Sequence, residues 1–266
     1  MSHIHIPDGV LPIWLVAAGW ILTALLLVLV SRHLKRGDPG RQLPLLGVMA
    51  AVMLVGMSTE IAPIAYHMNL SVLAGIVLGP ALGFLAAFIV NLILALFGHG
   101  GITVVGLNTL VVGAEAAIGY YLYRLAWSLL KSRQRSPAVA AGVATALALM
   151  ASTTLMVGIV GLSDVGPSAQ VAASLPETLS FQNPFQHGFI ASEWGDTGHA
   201  QVTQPAPTVD IFTFAKLVAV FGVLGWAIEA VLTGVIVGFV HRVRPDLVGG
   251  RSQLERVVAG PRVQGS

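Results

Sequence analysis

Cysteine is absent from all 266 residues, which excludes a disulfide framework, a thiolate zinc site and a cysteine-ligated iron–sulfur cluster. Charge is scarce: Asp, Glu, Lys and Arg make up 10% of the chain, against about 25% in soluble domains. That is too little to cover a water-facing surface. The formal net charge of +2 is also too small and scattered for a nucleic-acid partner. Sequence motifs are missing too. There is no Gly-x-x-x-x-Gly-Lys-Ser/Thr loop, so ATP hydrolysis by the usual route is excluded. The lack of His-Glu-x-x-His and Gly-x-Ser-x-Gly argues against an intramembrane protease or hydrolase. No inverted repeat of the secondary-transporter kind is evident.

What is present is apolar: 55% hydrophobic residues, 30 glycines and a mean hydropathy of +0.82. A helix of about 20 apolar residues crosses a bilayer core. Residues 9–31 are uncharged and predict a first span over about Val10–Ser31. A second is expected over about Gln42–Ile64, interrupted only by Glu60. Residues 61–114 carry no Asp, Glu, Lys or Arg, so glycine and proline must punctuate them. Further spans are expected over Leu70–Phe97, Ile102–Leu125, Ala138–Leu162 and Ile211–Val240.

Basic residues orient these spans, because cytoplasmic loops are enriched in Lys and Arg. Arg32, Lys35, Arg36 and Arg41 follow the first span, Lys131, Arg133 and Arg135 form a second cluster, and Arg242, Arg244, Arg251, Arg256 and Arg262 form a third. The segment 163–210 has no Lys or Arg but contains Asp164, Glu177, Glu193, Asp196 and Asp210, and reads as a long external loop. Passing from outside at His67 to inside at Lys131 needs an odd number of crossings. Leu70–Phe97 must therefore be two helices broken at Gly79-Pro80. The expectation is an all-α polytopic bundle of seven transmembrane helices, with an external N-terminus and a cytoplasmic C-terminus. It is organised as one transmembrane domain over 1–241, followed by a basic tail over 242–266.

This topology places His3, His5, His67 and His99 on the external side. Loss of Met1 ahead of the small Ser2 would leave a free amine followed by His3. An amine, the next amide nitrogen and an imidazole form fused chelate rings around one metal, and a further imidazole completes four nitrogen donors. Such sites suit Ni(II) or Cu(II), and imidazole-rich ones also suit Co(II). The competing reading makes His3 and His5 solvated terminal residues, His67 an interfacial one, and His99 part of a glycine turn. His33 and His241 read as boundary residues beside arginines, and His187 and His199 fall in the external loop. Glu60, Glu115, Lys216 and Glu229 lie in or near spans, where ionisable groups either serve function or pair within the bundle. Gly75-x-x-x-Gly79-x-x-x-Gly83 and Gly234-x-x-x-Gly238 read as helix-packing motifs.

His5-Ile6-Pro7-Asp8-Gly9-Val10-Leu11-Pro12 resembles the N-terminal signature of the cobalt/nickel substrate-binding component of energy-coupling-factor transporters. The resemblance continues through His67-Met68-Asn69-Leu70, Leu78-Gly79-Pro80, Gly100-Gly101-Ile102-Thr103, Gly106-Leu107-Asn108, Glu229 and Arg244-Pro245-Asp246-Leu247. It covers nearly the whole chain except about 163–210. It implies a seven-helix protein of the cell (inner) membrane that captures Co(II) or Ni(II) as substrate, has no prosthetic cofactor and is not itself an enzyme. The implied partners are a transmembrane coupling protein, a pair of cytoplasmic ATPases, often a small accessory membrane subunit, and membrane lipid. In the family the metal is held by the N-terminal amine, the amide and imidazole of the histidine at position two, and a histidine after the second span. Carried over, these are Ser2, His3 or His5, and His67, with His99 a further candidate.

The sequence departs from the pattern in three ways. Three extra residues precede the usual starting methionine, so Ile4 has no terminal amine unless the chain is trimmed there, whereas Ser2-His3 recreates the unit. Val111 stands where many relatives have asparagine, and the acidic loop exceeds the family core. A stand-alone divalent-metal permease and an intramembrane metal-dependent hydrolase are the alternative readings. The latter would need a water-activating carboxylate, for which Asp8 and Glu60 are the nearest candidates.

Overall fold

The structure, a computed structural model, describes residues 11–34, 39–61, 66–98, 100–130, 136–162 and 211–248. Among these residues there are seven α-helices: α1 (Ile13–Leu34), α2 (Pro39–Ser58), α3 (Ser71–Leu78), α4 (Pro80–Leu96), α5 (Val105–Leu130), α6 (Ser136–Leu162) and α7 (Ile211–Val243). A 3₁₀ turn over Pro245–Leu247 follows α7. The only other regular element among the described residues is a two-residue antiparallel ladder, β1 (Glu60–Ile61) with β2 (Tyr66–His67), pairing Glu60 with His67 and Ile61 with Tyr66.

The ladder corrects one boundary. The second span was expected to run to Ile64, but α2 stops at Ser58 and Glu60–Ile61 are extended. Hydropathy counts apolar side chains and cannot see where the backbone finds its hydrogen bonds. Here they pass to a neighbouring strand. Among the described residues, four segments are long and apolar enough to cross a membrane: Ile13–Arg32, Val105–Leu130, Pro137–Ile159 and Gly222–Val243. Gln42–Ser58 and Pro80–Leu96 are shorter apolar helices.

The expected break at Gly79-Pro80 is present. Gly79 adopts φ 84°, a left-handed value that suits glycine, and Pro80 opens α4, where its missing N–H costs nothing. The chain doubles back at this point. A Cβ on Gly83 would lie 3.2 Å from Gly75 Cα, whereas eight residues of continuous helix would span about 12 Å. The small residues at 75 and 83 let the two arms touch backbone to backbone.

The bundle is built around α5, which packs against α1, α3, α4 and α6, while α6 packs against α7. Small side chains set the closest approaches: a Cβ on Gly234 would stand 2.8 Å from the Ala138 carbonyl oxygen, and one on Gly106 would stand 2.8 Å from the Gly19 carbonyl carbon. The exterior is as apolar as the core, unlike that of a soluble protein. Val231, Val235 and Phe239 form an exposed stripe at helical spacing on α7. Glu115, Glu229, Asn69, Ser71, Thr145, Ser152 and Thr233 are buried in the interior. Exposed apolar stripes, with the few ionisable side chains turned inward, are what a hydrocarbon solvent demands.

Candidate functional site

His67 is the one expected ligand that lies within the described residues; Ser2, His3, His5 and His99 lie outside them. Its backbone is fixed by the ladder with Glu60. Its side chain is half-buried, with Nδ1 shielded from solvent. The next residue is clamped from α2: the Met68 N–H donates to the Gly56 carbonyl at 3.2 Å, and a Cβ on Gly56 would stand 2.7 Å from the Met68 carbonyl oxygen. Only glycine leaves room for that approach.

Beyond Met68 the chain turns sharply into α3. Leu70 takes φ 54° and ψ 19°, the one left-handed non-glycine residue among those described. A side chain with a Cβ adopts that region at a cost of roughly 1–2 kcal/mol, so the surroundings must impose it. Two fully buried carboxylates do so. Glu229 of α7 accepts the Leu70 N–H at 2.9 Å through Oε1 and the Asn69 N–H at 3.4 Å through Oε2. Glu115 of α5 accepts from Asn69 Nδ2 at 2.9 Å and from the Ser71 hydroxyl through Oε1, and from the Ser152 hydroxyl of α6 at 2.6 Å through Oε2. Leu70 cannot cap α3 with its own side chain, and the Glu229 carboxylate supplies the acceptor from 159 residues away. Negative charge at a helix N-terminus is also favoured by the helix dipole.

Sequence reading left Glu115 and Glu229 open between function and internal pairing; the structure shows both holding the turn after His67. Of the other two ionisable candidates, Glu60 contributes its backbone to the ladder, and Lys216 lies in α7. Ser71 and Ser152 were not singled out, because nothing in their local sequence marks them.

A separate described loop flanks position 99. Gly98 and Gly100, on either side of it, take φ 81° and 88°. The loop that follows is tied to α1 by two bonds: Trp20 Nε1–H donates to the Thr103 carbonyl at 2.6 Å, and the Thr23 hydroxyl donates to the Gly106 carbonyl at 2.8 Å. Leu11, just ahead of α1, is buried with Val104 and Leu107 beside the start of α5. Among the described residues, no group of three or more His, Asp or Glu could hold a metal ion.

A family profile described as the cobalt uptake substrate-specific transmembrane region matches residues 5–247. A relative from Haloquadratum walsbyi is 37% identical over 127 residues, which cover 46% of this chain and 58% of the relative. A second, from Methanocaldococcus jannaschii, is 33% identical over 126 residues, covering 45% of this chain and 56% of the relative. A third, from Haemophilus influenzae, is 31% identical over 125 residues, covering 45% and 57%. All three are named provisionally as metal transport proteins, and the chain spans less than two thirds of their length. Among solved structures, the crystal structure of a transition metal transporter aligns with a TM-score of 0.67 at 18% identity, covering 96% of this chain and all of the other. A truncated transition metal transporter aligns at 0.65, also at 18% identity, covering 90% of this chain and 99% of the other. At that identity the likeness is one of fold.

Proposed function

The chain belongs to the CbiM family, the cobalt uptake substrate-specific transmembrane region, and from that premise we propose that it is the metal-capturing subunit of an ATP-driven cobalt or nickel importer. Its membership and its long apolar helices make it an integral membrane protein. The finer reading places it in the cell (inner) membrane with seven crossings, an external N-terminus and the basic tail over 242–266 inside. Co(II) or Ni(II) is bound on the external side by an N-terminal amine at Ser2, by His3 or His5, and by His67, with His99 nearby. A coupling protein and a pair of ATPases supply the energy, since the chain has no nucleotide loop of its own.

The observation that carries this reading is the family match over 5–247, which spans the His67 turn and all seven described helices. The turn is already rigid, which is how a binding group avoids a large ordering cost on binding. The chemistry fits borderline cations: neutral imidazole and amine nitrogens prefer Co(II) and Ni(II) to the hard Mg(II) and Ca(II). Elemental analysis and calorimetry on the purified protein in detergent test it. Stoichiometric Co(II) or Ni(II), with Mg(II) and Ca(II) failing to compete, is expected. No binding of either metal refutes it. Uptake by the protein alone in vesicles, without ATPase partners, would favour the stand-alone permease.

A further inference from the structure

The proposed metal site gives His67 a task but gives none to Glu115 and Glu229. A carboxylate buried inside a membrane bundle is costly, so two of them need a reason. Their hydrogen bonds share one destination. Four donors that reach them belong to residues 69–71: the Asn69 and Leu70 N–H groups, Asn69 Nδ2 and the Ser71 hydroxyl. Ser152 of α6 holds the other Glu115 oxygen. These residues sit immediately after His67, at the point where the ladder swings into α3.

Leu70 at φ 54° sets the angle between that ladder and the α3 axis. Both N–H groups captured by Glu229 lie on the N-terminal side of that rotation. Releasing them would let Leu70 relax toward an ordinary backbone conformation and swing the ladder that carries His67. We propose that Glu229, together with Glu115, is a positioning device for metal capture: the carboxylates hold the 69–71 turn and thereby aim the His67 imidazole. This rests on the metal-binding reading of His67 and adds to it residues that touch no metal. Both carboxylates are spent on protein donors, so they act through the histidine rather than as ligands. The geometry also links α5, α6 and α7 to the site, since a carboxylate or hydroxyl from each is in the network.

Carboxylate chemistry makes the role testable by a near-isosteric change. Glu229→Gln keeps the shape but replaces one of two acceptors with a donor facing a backbone N–H. The full-length protein in detergent is titrated with Ni(II), with and without His67→Ala, and folding is followed by circular dichroism. Glu229→Gln should weaken Ni(II) binding about tenfold when His67 is present, the usual scale for groups that orient a metal ligand. In the His67→Ala background it should change affinity less than about twofold, because both changes act on one imidazole. An equal loss in both backgrounds, or none when His67 is present, overturns the proposal. If Glu229→Gln does not fold, Glu115→Gln is read by the same cycle. A native protein that binds neither Ni(II) nor Co(II) overturns the function itself and this inference with it. A native protein that binds, with equal losses in both backgrounds, overturns the inference alone.

Discussion

Gly75→Ala on α3 sets two opposing effects against each other, and the structure decides between them. In a helix interior, alanine is favoured over glycine by about 1 kcal/mol. At position 75, however, the new Cβ would stand 2.8 Å from the Ala116 carbonyl carbon and 3.1 Å from its Cα, and closer still to the carbonyl oxygen. Ordinary contact begins at 3.4 Å, so α3 would have to retreat from α5 by at least about 0.6 Å. The neighbour is backbone and cannot rotate aside. Retreat is resisted on the other flank, where α4 brings Gly83 against Gly75. Overpacking of this kind costs about 1–3 kcal/mol. The same shift pulls Asn69 and Ser71 away from Glu115, and a buried group left without its bond costs a further ~1–3 kcal/mol. The net expectation is destabilisation of about 1–5 kcal/mol. Gly158→Ala on α6 is the control: nothing lies within 4 Å of its would-be Cβ, so only the propensity gain of up to about 1 kcal/mol remains. Thermal unfolding of both variants in one detergent should therefore shift in opposite directions. Equal shifts, or a Gly75→Ala protein as stable as the native one, would refute the close-approach reasoning.

Three further outcomes are expected. His67→Ala should lower Ni(II) or Co(II) affinity at least about tenfold while leaving the protein folded, and an unchanged dissociation constant by calorimetry would remove His67 from the site. Binding through an amine, whose reference pKa is about 7.7–8.0, must displace protons, so affinity should rise with pH toward that range. An uncleaved N-terminal extension should abolish most of the affinity, and survival of binding in the extended protein would exclude the amine. Deleting residues 168–205 removes Glu177, Glu193 and Asp196. It should slow uptake modestly at low ionic strength only, because the Debye length at 0.15 M is about 8 Å. Loss of equilibrium binding would show that the loop belongs to the site.

The sequence was most legible where covalent chemistry constrains the chain. Gly79-Pro80 marked a helix break because proline has no N–H and glycine tolerates positive φ, and the parity of the basic clusters required the reversal found there. The Gly75-x-x-x-Gly79-x-x-x-Gly83 packing motif holds at its ends, where Gly75 and Gly83 lie at backbone contacts, but not at Gly79, which is the left-handed break with nothing within 4 Å of its would-be Cβ. The end of α2 was not legible, because the apolar run past Glu60 looks alike whether its backbone pairs within a helix or across a ladder. Glu115 and Glu229 stood out as buried charges, but their partners did not. Asn69 lies 46 residues from one and 160 from the other, and no local pattern encodes a bond across such distances. Ser152 is one hydroxyl among many on apolar helices, and only three-dimensional proximity gives it a role.

The capping of α3 from a distance also fixes an order of events during synthesis. An eight-residue helix is about 12 Å long, less than half a bilayer core, so α3 cannot be inserted as a span in its own right. It reaches its place as one arm of a hairpin whose other arm is α4. The amide of Leu70 then waits for an acceptor encoded 159 residues later. At a ribosomal rate of about 5–20 residues per second, that interval is roughly 8–30 seconds. Until α7 emerges, the turn behind His67 lacks the acceptor of its Leu70 N–H. The geometry of a group near position 67 is therefore completed by a helix whose carboxylate is encoded 159 residues after Leu70.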